Sequence, residues 1–391
     1  MTKLNIPTRK LKLNSVAENF YASNHKNTIR HVTNTKNIKE NALKELTKKD
    51  IFAFPFNVTN GTNQEKMRCL ISNSSNPYFN LATEEYFLKT SNDEIFMLYI
   101  NEPTIVVGKH QNLYSEINLP VVRANKIKLA RRISGGGTVY QDLNNLNFSF
   151  IHNCENREQI NFTKFTLPIL KALGEIGLKA EFSGRNDLLL HHRKISGNAM
   201  HIYKTRVLSH GTLLFNTDLK KLSTALKSNG KYADKSIKSV RSEVTNISDY
   251  LIPSKTIEQF TREIFMLIIN RSTDSHVKSL DISEEEAIYK ISKAKFETWD
   301  WIYGYSPKYL FRNIFKFGEL SLNLELSVER GIITSTKIEI TPENSNLANQ
   351  IEEILTGTSH DIELLANKLS KVRIIKSDLK YTETDFCYEL F

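Results

Sequence analysis

The sequence predicts an α+β fold, in which a main domain of mixed β-sheets flanked by helices is followed by a small α+β domain. Two observations support this prediction. From Met67 onward, β-rich runs alternate with amphipathic helices, and the glycine run Gly135–Gly137 joins two β-rich runs instead of leading from a strand into a helix. After Trp299 the pattern changes to alternating strands followed by helices, which indicates a second, smaller unit.

Strands are predicted where β-branched and aromatic residues cluster between turn residues. In the main domain these runs are 68–72, 94–100, 104–107, 128–133, 138–141, 147–151, 187–190, 194–200 and 208–215. Helices, recognised by apolar residues at helical spacing, are predicted over 80–88, 163–176, 219–226, 256–270 and 283–292. The second unit has predicted strands at 318–326 and 332–340 and helices at 345–356 and 360–369. The Lys- and Ser-rich block 227–240 is predicted to be a loop.

The chain is expected to divide into three parts, with a terminal segment and linker at 1–60, a catalytic domain at 65–272 and an accessory domain at 285–391. Residues 1–39 hold eight Lys and Arg side chains but a single acidic one, Glu18. Because this segment is also rich in Ser, Thr and Asn and lacks a continuous apolar run, it is typical of a mitochondrial transit peptide. A disordered basic tail is the alternative.

Charge and cysteine content exclude several classes of protein. The N-terminal 39 residues supply most of the net charge of +10, so the remainder is nearly balanced and a basic nucleic-acid face is not expected. No window approaches the roughly 18 consecutive apolar residues of a membrane span. Cys69, Cys154 and Cys387 are too few and too scattered for a disulfide framework or a Cys-x-x-Cys metal site.

The glycine run is the most informative local feature. Without Cβ atoms these residues can adopt positive φ and bring backbone N–H groups close to an anion, and Arg131 and Arg132 add positive charge nearby. A carboxylate or a phosphate is the expected ligand, with an ordinary hairpin loop as the alternative. Dinucleotide-binding and Walker loops both require a helix after the glycines, and here a strand follows, so neither motif applies.

Five sequence blocks occur in a known order along the chain. Together they resemble the mitochondrial, eukaryotic-type members of the lipoate-protein ligase A and lipoyltransferase family. The strongest blocks are RRISGGGTVYQD at 131–142, GRNDL at 184–188 with RKISGNA at 193–199, and HGTLL at 210–214. Two supporting blocks are NLATEE at 80–85, which resembles the family's first helix, and SVRSEVTN at 239–246, which resembles its adenylate-side loop. The resemblance runs from about 67 to 270 and implies a fold like that of the biotin and lipoate ligases.

The resemblance implies a two-step reaction with ATP, Mg²⁺ and lipoate or octanoate. A carboxylate attacks the α-phosphate of ATP, and because two anions must meet, fixed positive charge and N–H donors are needed. Lys194 is the implied catalytic residue, contacting both the acyl carboxyl and the α-phosphate. The implied ATP-binding residues are Arg132, Gly137, Thr138, Val139, Tyr140, Asn186 and Lys194. The implied lipoate-binding residues are Tyr99, Arg131, Ser134, Gly136, Gln141 and Lys194, with Leu81 and Thr83 as further residues of an apolar slot.

Asp187 is the candidate Mg²⁺ ligand, because Mg²⁺ commonly takes one or two carboxylates together with phosphate oxygens. An ordinary strand-edge aspartate is the alternative. The implied acceptors are apo lipoyl domains, namely those of the E2 subunits of 2-oxoacid dehydrogenase complexes and the glycine cleavage H protein. We expect a monomer in the mitochondrial matrix, with no nucleic-acid or membrane partner.

The chain departs from the family pattern at Gln141, where a histidine is usual. Glutamine can form hydrogen bonds but cannot carry a proton at neutral pH, so this position is not expected to act as a general base and is expected to influence acyl selectivity. Two alternatives remain open. One is a transferase that uses preformed lipoyl-AMP or an acyl-CoA without ATP, although no cysteine lies in the matched blocks to form a thioester. The other is a lipoyl-domain binding protein without catalysis.

Overall fold

The computed structural model describes residues 67–154, 162–184, 186–226, 230–271, 275–317, 319–370 and 383–391. The segment 1–60, predicted as a transit peptide and linker, lies outside these residues. No helix in the described part of the chain has the length and apolar character needed to cross a bilayer.

The strands and helices alternate along the chain as an α+β protein requires. The strands are β1 Met67–Ile71, β2 Glu94–Ile100, β3 Thr104–Val107, β4 Lys128–Arg131, β5 Val139–Gln141, β6 Asn145–Asn153, β7 Glu181–Ser183, β8 Asp187–Leu190, β9 Arg193–Tyr203, β10 Arg206–Leu214, β11 Tyr232–Asp234, β12 Ser275–Val277, β13 Tyr309–Phe317, β14 Leu320–Glu329 and β15 Ile332–Thr341. The helices are α1 Pro77–Thr90, α2 Leu119–Ala124, α3 Phe162–Glu175, α4 Leu219–Ala225, α5 Ile257–Ile269, α6 Ile282–Ile291, α7 Ser345–Leu355, α8 Ile362–Leu369 and α9 Glu383–Tyr388.

Three sheets organise the described residues. The largest has eight strands in the order β12-β1-β2-β6-β10-β9-β8-β7, with parallel pairing at β1 and antiparallel pairing elsewhere. A sheet of three strands has the order β4-β3-β5 and is also mixed. A sheet of four antiparallel strands, β11-β13-β14-β15, forms most of the accessory part. The predicted α+β class with mixed sheets is confirmed.

Successive residues of a strand face opposite sides, and β2 shows how this divides the core. Phe96 and Leu98 face a core that also contains the apolar side of α3 and α5. Met97 and Tyr99 face a second core, built with α1, the inner side of the three-stranded sheet and α6. A third core joins the outer side of the three-stranded sheet to the accessory sheet and to α7, α8 and α9. The second core surrounds the predicted site.

Most predicted elements are present, and strands β2, β3 and β8 have the predicted bounds. Helix α1 begins earlier than predicted, at Pro77, because Asn76 caps it by accepting a hydrogen bond from the backbone N–H of Tyr78 at 2.9 Å. The short helix α2 and the strand β13 were not predicted. Leu81, Phe87 and Leu88 are buried, as the helical pattern predicted.

The accessory part is interwoven with the catalytic part. Strand β11 arises from the block 227–240 that was predicted to be a loop, and it pairs with β13 of the accessory sheet. Helix α6 packs against α1, where the rings of Phe79 and Tyr289 lie 4.7 Å apart. The segment 275–309 therefore belongs structurally to both parts.

Candidate active site

The glycine run forms the turn between β4 and β5, and the Arg132 side chain lies behind it. One guanidinium nitrogen, Nη2, donates to the carbonyl oxygens of Gly135 and Gly137, both at 2.7 Å. Because the C=O and N–H of a trans peptide point in opposite directions, this pulls the N–H groups of Gly136 and Thr138 to the other side. Arg132 thus arranges the backbone donors of the run, a role that the sequence alone did not indicate.

Two glycines are required by this arrangement. Gly136 has φ of +90°, a conformation that side chains other than glycine rarely adopt. Gly108, at the end of β3, packs so closely beneath the run that a Cβ there would lie 2.1 Å from the Gly136 carbonyl oxygen. The run is therefore held both by backbone contact with Gly108 and by the neighbouring Arg132 guanidinium.

Residues of the adenylate-side loop lie against the run. The Ser239 hydroxyl oxygen accepts a hydrogen bond from the Thr138 N–H at 2.8 Å and another from Gln111 Nε2 at 3.2 Å. Its own hydrogen goes to the Glu116 carboxylate. An oxygen atom thus already occupies the position in front of the Thr138 N–H, which is the geometry expected for a phosphate or carboxylate oxygen at this donor.

A buried chain of hydrogen bonds links Tyr99 to Arg132. The Tyr99 hydroxyl donates to Glu84 Oε1 at 3.0 Å, and Glu84 Oε2 lies 2.9 Å from His210 Nδ1. His210 Nε2 lies 2.6 Å from the Ser134 hydroxyl, which accepts from Arg132 Nε at 3.0 Å. The five residues come from β2, α1, β10 and the glycine turn.

The electrostatics of this chain follow from its burial. Removal from water lowers the pKa of Arg132 to about 10, and the Glu84 carboxylate opposes that change. Burial, reinforced by the Glu84 charge, raises the pKa of Tyr99 well above its usual range. At neutral pH the arginine is therefore a cation with a buried counter-charge, and Tyr99 is a neutral donor. Leu81 and Thr83 of α1 are buried in the same region, where the Thr83 hydroxyl donates to the Phe79 carbonyl at 2.8 Å.

The structure places Arg131 outside this cleft. Its side chain is fully buried and donates to the carbonyls of Gly108, Lys109, Gln111, Trp301 and Ile302 and to the Ser306 hydroxyl, at 2.7 to 3.2 Å. Burial lowers its pKa to about 10. These contacts join the three-stranded sheet to the segment that leads into the accessory sheet, so the geometry gives Arg131 a structural role instead of a contact with lipoate.

Lys194 lies near the start of β9 and is paired with Asp187. Its Nζ is 2.9 Å from Asp187 Oδ1, and both side chains are about one quarter exposed. The Lys194 side chain runs over Gly197, where a Cβ would lie 3.2 Å from Nζ. The backbone of Lys194 bonds to the adenylate-side loop on both sides, donating to Glu243 O at 2.8 Å and accepting from Thr245 N at 3.1 Å. One loop thus connects Lys194 to the glycine run.

Asn186 is held by Asn198 of the neighbouring strand. The Asn198 backbone N–H and side-chain Nδ2 donate to Asn186 O at 3.0 and 2.7 Å, and Asn186 Nδ2 donates to Asn198 O. On the facing side, a Cβ at Gly136 would lie 3.8 Å from the Ala199 Cβ. The RKISGNA block therefore lies beside the glycine run through Ala199, and Asn186 is held against that block by Asn198.

The two predicted ATP-binding residues of strand β5, Val139 and Tyr140, point to opposite faces of the strand. Val139 packs against the second core, whereas Tyr140 faces the third core with Ile105. Burial raises the pKa of Tyr140 to about 12. The Tyr140 ring thus points away from the cleft, and only its backbone remains available to a nucleotide.

Gln141 ends a buried series of amide side chains. Its Oε1 accepts from Asn101 Nδ2 at 2.7 Å, and Asn101 Oδ1 accepts from Asn80 Nδ2 at 2.7 Å. The Ser72 hydroxyl closes the series by donating to Asn80 Oδ1 at 2.6 Å. The side chain that replaces the usual histidine is therefore fixed by a neutral network, in agreement with the expectation that it does not act as a base.

Neither a metal cluster nor a thiolate nucleophile accompanies these residues. Within the described ranges, no group of three or more His, Cys, Asp and Glu side chains is arranged to hold a metal ion. Burial raises the pKa of Cys69 to about 12, which disfavours the thiolate, and Cys387 is buried as well.

The structure therefore brings together Arg132, the glycine run, Ser134, Tyr99, Asn186, Asp187 and Lys194, and it separates Arg131 and the Tyr140 ring from them. Sequence reasoning assigned no role to Glu84, His210, Ser239 or Gln111. Glu84 and His210 lie in the NLATEE and HGTLL blocks, so their positions inside matched blocks could have marked them as candidate site residues. Gln111 and Glu116 lie outside every matched block.

Comparisons with known proteins agree with this geometry. A family model described as the lipoyl protein ligase A/B catalytic domain matches residues 76–267. Lipoate-protein ligase LplJ of Bacillus subtilis is 39% identical over 319 residues, which cover 80% of this chain and 96% of that protein. Lipoate–protein ligase 1 of Staphylococcus aureus is 42% identical over 303 residues, covering 77% and 92%.

Solved structures show the same fold. The crystal structure of P. falciparum LipL1 in complex with lipoate has a TM-score of 0.53 at 25% identity, covering 78% of this chain and 95% of that one. A lipoate-protein ligase A bound with ATP has a TM-score of 0.53 at 24% identity, covering 61% and 99%.

Proposed function

The chain belongs to the lipoate-protein ligase family, and we propose that it activates lipoate or octanoate with ATP and transfers the acyl group to a lysine of apo lipoyl domains. The observation that carries this proposal is that one loop, from Ser239 to Thr245, bonds both to the glycine run and to Lys194. The Ser239 hydroxyl accepts from the Thr138 N–H, and the backbone of Lys194 bonds to Glu243 and Thr245.

In the first step an oxygen of the lipoate carboxylate attacks the α-phosphorus of ATP. A new P–O bond forms, the bond from the α-phosphorus to the bridging oxygen breaks, and pyrophosphate leaves with the electron pair. Lys194 stabilises the negative charge of both reactants, and an α-phosphate oxygen replaces Ser239 Oγ in front of the Thr138 N–H. Arg132 acts from behind by fixing the peptide groups that donate.

In the second step the acceptor lysine, after losing a proton, attacks the acyl carbon of the adenylate. The N–C bond forms, the C–O bond to AMP breaks, and AMP leaves with that electron pair, while the nitrogen loses its second proton to solvent. Because the mixed anhydride is already activated, the protein mainly positions the amine and stabilises the developing oxyanion. Lys194 is suited to the second task.

Mg²⁺ belongs to this proposal as the ion that accompanies ATP. Asp187 is a single carboxylate already paired with Lys194, and the described residues offer no cluster of ligands around it. Most ligands of the Mg²⁺ ion would therefore be phosphate oxygens of ATP and water molecules, as is usual for Mg²⁺.

The proposal is tested with the full chain and an apo lipoyl domain, supplied in parallel with lipoate and ATP, with lipoyl-AMP, or with octanoyl-CoA. Mass spectrometry of the acceptor identifies the donor, and we expect the lipoyl mass increment with lipoate and ATP. An increment only with lipoyl-AMP or octanoyl-CoA would favour the transferase alternative. Binding without any increment would favour a non-catalytic partner.

A matched pair of variants tests Lys194. Lys194→Ala is expected to abolish pyrophosphate release from lipoate and ATP, while Lys220→Ala, a change at an exposed lysine of α4, keeps the wild-type rate. Circular dichroism checks that both proteins are folded. Pyrophosphate release by Lys194→Ala at a near-normal rate would contradict the assignment.

The finer features of the proposal concern location and partners. The family model begins at residue 76, and the acid-poor segment before it supports import into the mitochondrial matrix. A fluorescent reporter fused to residues 1–60 is expected to enter mitochondria, and a diffuse cytosolic signal would contradict this.

The expected acceptors are E2 subunits and the glycine cleavage H protein, which the transfer assay compares directly. The expected monomer is checked by light scattering.

A further inference from the structure

Asp187 has no part in the chemistry described above, although its carboxylate is the nearest charged partner of Lys194. It lies at the start of β8, directly opposite Gly197 in the register of β8 and β9. The register shifts by one residue between Leu188 and Leu189, so that Lys194 pairs with Leu189. Lys194 Nζ lies 2.9 Å from Asp187 Oδ1.

The position of this carboxylate is fixed by the structure around it. The three hydrogen bonds between Asn186 and Asn198 hold the backbone immediately before Asp187 against β9. Asp187 itself remains about one quarter exposed, so its oxygens are accessible from solvent. A rigidly held, accessible carboxylate beside the reacting centre is suited to binding a cation.

In adenylate formation a negative charge beside Lys194 opposes the binding of two anions, and the sequence suggests Asp187 for this step only as a single Mg²⁺ ligand. Once the acyl-adenylate occupies the cleft, its phosphate and carbonyl oxygens become the partners of Lys194. Asp187 then loses its cation. The next group to arrive is the acceptor lysine, which reaches the site as an ammonium ion and must approach the positive Lys194.

Resting on the proposed function, we propose that Asp187 is the binding group for the ammonium of the acceptor lysine. The acceptor takes the place of Lys194 in the ion pair, which offsets the repulsion between the two cations and places the nitrogen beside the acyl carbon. The bound ammonium then gives one proton to solvent, and the neutral amine attacks as in the second step above. A lone carboxylate is sufficient for this task, and within the described ranges no metal-binding cluster competes for it.

The test isolates the second step by supplying lipoyl-AMP to the full-length protein with one of two nucleophiles. The first is an apo lipoyl domain, whose lysine arrives as a cation, and the second is hydroxylamine, which is uncharged at neutral pH. Asp187→Asn is expected to slow transfer to the domain by about 10- to 100-fold, which lies between the roughly fivefold effect of two like charges about 4 Å apart in water and the roughly 1,000-fold effect of the same charges near a protein surface. The reaction with hydroxylamine is expected to stay within about threefold of wild type.

Two further variants complete the comparison. Glu181→Gln removes an exposed carboxylate from the adjoining strand β7 and is expected to change neither reaction. Asp187→Glu restores a carboxylate and is expected to recover part of the rate to the domain. The uncatalysed reaction of lipoyl-AMP with hydroxylamine is measured without protein and subtracted, and circular dichroism checks that each variant is folded.

An equal loss with both nucleophiles would overturn the inference, since Asp187 would then act on Lys194 or on the fold. Unchanged transfer to the domain would overturn it as well. A loss confined to pyrophosphate release and recovered by added Mg²⁺ would identify a metal ligand instead. Failure of the proposed function would differ from all of these, because the wild-type protein, supplied with lipoate and ATP, would then release no pyrophosphate and lipoylate no acceptor.

Discussion

Removal of the Glu84 carboxylate tests whether the buried chain supports the glycine turn. Glu84 is 1% exposed, accepts from the Tyr99 hydroxyl, pairs with His210 and lies near the buried Arg132. In Glu84→Ala, the tyrosine hydroxyl and the histidine Nδ1 lose their partner and the arginine loses its counter-charge. Breaking a buried charged pair by removing one member costs about 3 to 5 kcal/mol of the free energy of unfolding.

Glu84→Gln separates hydrogen bonding from charge. The glutamine oxygen can accept from Tyr99, and its amide can donate to His210 Nδ1 if the ring proton moves to Nε2 and is donated to Ser134. Every hydrogen bond of the chain is then still formed, and only the charge opposite Arg132 is lost. We therefore expect a smaller loss, about 1 to 2 kcal/mol.

Urea unfolding followed by circular dichroism measures both variants against Glu102→Gln. Glu102 forms a partly exposed pair with Lys128, so its replacement is expected to cost less than about 1 kcal/mol. A loss below about 1 kcal/mol in Glu84→Ala would refute the reasoning. Equal losses in the alanine and glutamine variants would show that charge, and not hydrogen bonding, dominates.

Two other predictions concern buried groups away from the reacting centre. Arg131→Lys is expected to lower the free energy of unfolding by about 3 kcal/mol or more, because an ammonium cannot reach the acceptors that the guanidinium joins; Arg123→Lys, at an exposed pair with Glu363, is the control and is expected to change little. Burial lowers the pKa of His360 to about 4 from an unfolded value near 6.5, so its contribution to stability is complete above pH 6.5 and is lost as the pH falls toward 4. Between pH 7 and pH 5 this amounts to about 2 kcal/mol, and urea unfolding of His360→Gln should show a pH dependence that is weaker by that amount. An unchanged pH dependence would contradict the assignment to His360.

The fold was predicted best where local signals are strong. Strands β2 and β3 are continuous β-branched and aromatic runs separated by Asn101, Glu102 and Pro103, and their predicted bounds agree with the structure. Strand β11 was missed because it is three residues long and exists only through its pairing with β13, far along the chain. Helix α2 was missed because six residues are too few for a helical period to be recognised.

The sequence predicted many of the residues of the site but not the hydrogen bonds that connect them. The matched blocks identify Lys194, the glycine run and Arg132, and the structure brings these together. The chain from Glu84 to Ser134 could not be predicted, since its hydrogen bonds join residues that are 126 and 76 positions apart. Periodicity reports which face a residue occupies, but it does not report which distant polar group it meets.

Arg131 and Arg132 show the same limit within two residues. Adjacent residues of an extended chain face opposite sides, so identical side chains enter different surroundings. Arg132 turns toward the glycine run and fixes its carbonyls, whereas Arg131 turns toward Ile302 and Ser306 and fixes the joint with the accessory part. Arg131 thereby ties the backbone that leads into the glycine turn to the segment before the accessory sheet, directly beside the residue that fixes the carbonyls of the turn.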